Sequence, residues 1–132
     1  MSTHRLQSHP IHLGLGATAV VQPEKGSDVA WYMDYAARTA PDGNEGRLVS
    51  MGTFLEPWDA WEVHPNGHEI VLCTSGEITL HQEAPDGSTA TVVLTEGEYA
   101  INDPGVWHTA DVDAPATALF ITAGQGTDHR PR

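Results

Sequence analysis

The sequence predicts an all-β domain whose short antiparallel strands close into a barrel or a jelly-roll sandwich. Three observations carry this reading. The 132 residues include 13 Gly and 9 Pro, too many breaks for long helices. In the second half, strand-like runs alternate with turn clusters at a pitch of roughly ten residues, the cadence of antiparallel hairpins. So many short strands in a chain long enough for one domain need a closed or doubled sheet, because a single open sheet leaves an apolar face in water.

Taken in order, residues 1–25 read as a polar N-terminal arm in which His4, His9 and His12 are spaced irregularly. The domain proper is expected over 26–124, with a tail at 125–132. Its first runs are VAWYMDYAA from Val29, RLVSMGTFL and EPWDAWEVHPNG, with TAPDGNEG as a turn cluster. No helix of useful length is expected, beyond at most a turn around Asp34 to Arg38. The later runs are EIVLCTSG, EITLHQ, TATVVLTEG, EYAINDPG, VWHTADV and ATALFITAG. Between them, Pro85-Asp86-Gly87-Ser88 and Thr95-Glu96-Gly97 carry the residues that tight reversals demand. Gly14-Leu15-Gly16 lacks the strand-turn-helix context of a nucleotide loop.

Composition narrows the partners. Eighteen acidic against six basic residues give a formal charge of −12, a field that repels phosphate backbones and anionic lipid surfaces. Nucleic acid and membranes are therefore not expected as partners; a small-molecule ligand or substrate is. The single cysteine, Cys73, excludes an internal disulfide, and the opening MSTHRLQSHPIHLGLG has no apolar run of signal-peptide length, so the expected address is cytoplasmic.

The chemistry concentrates in Trp61-Glu62-Val63-His64-Pro65-Asn66-Gly67-His68-Glu69. Strand alternation puts Glu62 and His64 on one face, with Trp61 and Val63 on the other. Pro65-Asn66-Gly67 turns the chain, and a following strand with Glu69 inward carries Val71 and Cys73 inward as well. A carboxylate and an imidazole from neighbouring strands then converge. A carboxylate buried in a barrel without a cation is costly. Imidazole nitrogen with carboxylate oxygen suits Fe(II), Mn, Ni or Zn and argues against Ca or Mg.

At these residues the chain resembles the cupin superfamily. Glu62-x-His64, four residues, Glu69, six residues and Gly76 follow that family's first motif except at its first histidine, which here is Glu62. Gly97, five residues, Asp103-Pro104-Gly105, two residues and His108 follow the second, with Asp103 for the first proline and Val112 where the motif ends in asparagine. The resemblance implies a cupin-type jelly-roll, or double-stranded β-helix, barrel. It implies one divalent transition metal held by His64, Glu69 and His108. Glu62 then binds as a second carboxylate or lies behind His64 and orients it, and His68 is the substitute from the turn. It also implies a homodimer, with Trp31 and Tyr32 as candidates for its interface and the N-terminal arm for strand exchange.

Two functions fit. One is a metal-dependent enzyme on a small organic molecule, dioxygenase- or isomerase-like, with the metal polarising substrate or activating dioxygen. The other is a noncatalytic metal- or ligand-binding, or sensing, module. Asp103, Tyr99 and Cys73 are candidate acid or base groups, none favoured by spacing. Trp58, Trp61 and Trp107 are assigned to packing, and His81 and His129 have no evident partner.

Overall fold

A computed structural model describes residues 2–26 and 28–132. Among the described residues eleven strands form two antiparallel sheets, accompanied by one α-helix and two short 3-10 helical segments. The strands are β1 (Ile11–Gly14), β2 (Thr18–Val21), β3 (Arg47–Phe54), β4 (Ala60–Val63), β5 (Glu69–Ser75) and β6 (Ile78–Glu83). They continue as β7 (Thr89–Leu94), β8 (Tyr99–Asn102), β9 (Trp107–Asp111), β10 (Ala116–Thr122) and β11 (Asp128–Pro131). One sheet runs β2-β1-β3-β10-β5-β8 and the other β11-β4-β9-β6-β7. This is the expected all-β jelly roll.

Alternation decides which side chains enter the space between the sheets. Along β5, Glu69, Val71 and Cys73 are buried while Ile70, Leu72 and Thr74 are less so, the phase expected for a strand with one face in the core. Val71, Cys73, Ile78, Leu80, Leu94 and Ala118 form the centre of that core, with Phe54, Trp58 and Phe120 packed against it. Two predicted reversals are present. At the first, Asp86 Oδ1 accepts from the Ser88 N–H and Gly87 takes φ +86°; at the second, Gly97 also takes φ +86°.

Two segments depart from expectation. Residues Val29–Thr39 form a helix, α1, rather than a strand. Asp28 caps its first turn by accepting from the Trp31 N–H, Trp31 and Tyr35 stack four residues apart with rings 4° from parallel, and Arg38 covers both rings. These contacts at spacings of three, four and seven residues line one face of a helix. The expected polar arm contains β1 and β2, and β1 pairs with β3 of the same chain. His12, which the sequence left without meaning, is buried there. Its ring lies 2.6 Å from Asp42 Oδ2 and 2.6 Å from the Tyr35 hydroxyl, tying β1 to the helical segment. Among the described residues no helix is long and apolar enough to cross a membrane.

Candidate metal centre

Glu62 and His64 leave the end of β4 on its inner face, His108 lies opposite Glu62 on β9, and Glu69 opens β5 in the facing sheet. The site is thus a junction between the two sheets. One ligand atom from each of Glu62, His64, Glu69 and His108 lies within 4.8 Å of all the others. His64 Nε2 is 2.9 Å from Glu62 Oε1 and 3.0 Å from Glu69 Oε2; His108 Nε2 is 3.1 Å from Glu69 Oε1 and 3.7 Å from Glu62 Oε1. His64, Glu69 and His108 are buried, and only Glu62 keeps appreciable contact with solvent.

Three of the four side chains are held from behind. Glu69 accepts from the Asn102 amide at 3.1 Å and from the Thr122 hydroxyl at 2.7 Å, and Asn102 accepts in turn from Gln82. His108 Nδ1 donates to the Val106 carbonyl at 3.2 Å. His64 Nδ1 sits 2.7 Å from the Thr127 hydroxyl, whose own proton goes to the Gly124 carbonyl. Thr127 can therefore only accept from His64. Both imidazoles keep Nδ1–H pointed outward and turn Nε2 toward the centre, the tautomer a metal requires.

Despite the short contacts, neither His64 Nε2 nor His108 Nε2 has a partner in hydrogen-bond geometry. Two buried ring nitrogens aimed at a common point between two carboxylates, with no bond completed, match what a transition metal would fill. The donor set is two imidazoles and two carboxylates.

Electrostatics in the metal-free protein follow from the same geometry. Burial alone would lower the basicity of His64 and His108, but Glu62 and Glu69 overcome it and push each ring to about 9. Burial alone would raise the carboxyls of Glu62 and Glu69, but the two imidazoles outweigh it and hold both well below the usual carboxylate range. Without metal, two imidazoliums balance two carboxylates. The histidines' stabilisation is complete below their ordinary 6.5 and disappears as pH rises through about 9. The carboxylates' stabilisation is present above their ordinary 4.5 and is lost as pH falls below it. Chelator-treated protein is therefore expected to resist urea better at pH 5.5 than at pH 9.5; equal midpoints at the two pH values would contradict this arrangement.

Of the residues singled out in the sequence, the structure brings together Glu62, His64, Glu69 and His108 and leaves the others apart. His68 is exposed, with Nε2 3.5 Å from Asp103 Oδ1 at the surface, and does not replace Glu62 in the cluster. Tyr99 is exposed. Cys73 is fully buried, burial raises its thiol pKa, and its Sγ faces the Ser75 and Gly76 carbonyls. Trp58 flanks the site, its ring 6.2 Å from that of His108. Sequence reasoning missed Asn102, Thr122, Thr127 and His129, although strand register would have revealed two of them. Asn102 and Thr122 lie directly opposite Glu69 on β8 and β10.

Comparison with known proteins agrees with this fold. The chain resembles an uncharacterized conserved protein with a double-stranded β-helix domain from Klebsiella pneumoniae, at 24% identity and a TM-score of 0.53 over 65% of this chain and 76% of that one. It also resembles hydroquinone 1,2-dioxygenase from Sphingomonas sp. TTNP3 with 4-hydroxybenzoate bound, at 17% identity and a TM-score of 0.50 over 58% of this chain. A hydroquinone 1,2-dioxygenase in complex with Cd2+ and 4-hydroxybenzonitrile aligns at 15% identity and a TM-score of 0.51, again over 58% of this chain. The alignments span 59% and 56% of the two dioxygenase chains. At these identities the likeness is one of fold. No curated protein sequence matches the chain. The cupin-domain family model matches residues 54–123, just over half of the 132 and the segment that supplies all four clustered side chains, so the chain belongs to the cupin family.

Proposed function

We propose that this cupin binds one divalent transition metal through His64, Glu69, His108 and Glu62 and uses it on a small organic molecule, in dioxygenase- or isomerase-like chemistry. The observation that carries the proposal is the pair of buried Nε2 atoms left without partners between two carboxylates. Four protein donors leave room for further ligands on a six-coordinate metal. When bound, such a metal polarises a substrate oxygen or activates dioxygen. The chain's own contribution is to hold both histidines in the Nε2-facing tautomer, to fix Glu69 through Asn102 and Thr122, and to keep water from the inner three side chains. A dication replaces the two imidazolium protons with no net change of charge. The paired carboxylates favour harder metals such as Mn or Fe(II) over Zn. The solved dioxygenases, which carry aromatic ligands, lend support to an aromatic substrate.

One observation favours the noncatalytic alternative, a metal-holding or sensing module. Three of the four side chains, His64, Glu69 and His108, are closed off from solvent. The experiment is elemental analysis of protein purified without a histidine tag, followed by an aerobic turnover screen with catechols, diketones and keto acids. About one equivalent of Fe, Mn, Ni or Zn, and a melting temperature lowered by chelator, are expected; protein without metal and indifferent to chelator overturns the reading. A metal-loaded protein inert toward the whole screen favours the module.

We also propose a homodimer, supported by exposed Val20, Val21, Tyr32 and Met33 on β2 and α1, with light scattering as the check. A cytoplasmic address stays a proposal from composition, to be checked by cell fractionation.

A further inference from the structure

The residues after the family-matched segment take part in the site. We infer that β11 and the turn before it are a positioning element of the metal centre, with Thr127 and His129 as positioning residues for His64 and Glu62. This rests on the metal reading above. Both residues lie beyond position 123, where the match to the family ends, and both touch a clustered side chain directly. Thr127 accepts the His64 Nδ1–H at 2.7 Å and is itself fixed by donating to Gly124. His129 lies opposite Glu62 in the β4–β11 register, its Nε2 2.9 Å from Glu62 Oε2, while Glu62 Oε1 turns inward toward His64. The carboxylate thus has one oxygen held at the rim and the other delivered to the centre.

The strand is also fastened independently of the site. On its opposite face Arg130 lies over the rings of Trp61 and Trp107, at 5.2 and 4.5 Å, and pairs with Glu83 at 2.6 Å. Arg132 bonds to Asp111 and to the carbonyls of Trp58 and Ala110. A short, polar strand with almost nothing to bury is thus held by cation–π contacts and ion pairs. On the other face, Thr127 in the preceding turn and His129 in the strand set the tautomer of one imidazole and the direction of one carboxylate.

The test is cobalt(II) titration of metal-stripped, untagged full-length protein, read by visible absorption and chelator competition, with nitrogen-15 NMR of the histidine rings. Thr127→Val and His129→Ala are each expected to weaken cobalt binding about 10- to 100-fold. Thr127→Val should also mix the His64 tautomers in the metal-free, high-pH spectrum, and Thr127→Ser should restore both readouts. His129 is largely exposed, so its substitution leaves the fold intact. Arg130→Ala, which touches none of the four side chains, is expected to weaken cobalt binding in the same direction. Wild-type protein that takes up no cobalt overturns the metal reading and this inference together. Cobalt bound by wild type, Thr127→Val and His129→Ala with equal affinity and identical spectra overturns the inference alone.

Discussion

Replacing His108 by alanine is expected to abolish metal uptake and to destabilise the metal-free protein by about 3 to 5 kcal/mol at pH 7. His108 has no exposed surface, sits 3.1 Å from Glu69 Oε1 and packs edgewise against Trp58. Its removal takes a ligand from the centre, one of two compensating positive charges from the buried Glu69, and a ring from the interior. Elemental analysis and urea unfolding separate the two effects. His108→Gln, which retains volume but not the charge, should recover part of the stability and little of the metal. If His108→Ala purifies with the metal content of wild type, His108 is not a ligand. If its stability is unchanged, the buried charge balance around Glu69 is wrong.

The second large effect is expected at Gly76, the glycine that closes the first motif. It takes φ +78°, and a Cβ there would stand 2.7 Å from the Pro115 carbonyl oxygen and 3.0 Å from the Ala116 Cα. Gly97 in the second motif has φ +86° and open space around it. Gly97→Ala should therefore cost about 1 kcal/mol, from the left-handed backbone alone. Gly76→Ala should cost about 3 kcal/mol or more, because a backbone atom of the β9–β10 connection must also move. Urea midpoints of the two variants measure the difference, and equal losses would refute the contact.

The two glycines also indicate what the sequence made legible. Strand phase placed Glu62 and His64 on one face and Glu69 in phase with Val71 and Cys73, and the resemblance to the cupin motifs added His108 to the same set. That sufficed for the barrel and for all four clustered residues, including Glu62, whose side chain does enter the cluster. Other features were hidden because their cause is not periodic. VAWYMDYAA has enough β-forming residues to read as a strand, and its helical state rests on the Asp28 cap and on the stack of Trp31, Tyr35 and Arg38 along one helix face. The segment Asp128–Pro131 has no apolar residue but proline, so hydrophobic pattern gives it no strand signal, yet Arg130 finds two tryptophans from elsewhere in the chain. His12 was read as part of a loose arm because Asp42 and Tyr35 lie 30 and 23 residues away.

The dependence of His64 and Glu62 on Thr127 and His129 has a consequence for the order of events during synthesis. Every residue of the four-member cluster has been translated once His108 emerges, but the side chains that aim two of them follow about 20 residues later. Contacts this distant in sequence close late in folding. A nascent chain that has just exposed His108 would hold the His64 imidazole free to rotate and the Glu62 carboxylate free to swing outward, while the His108 ring already has its Val106 carbonyl. The aim of His64 and Glu62 is thus complete only once β11 and the turn before it are in place.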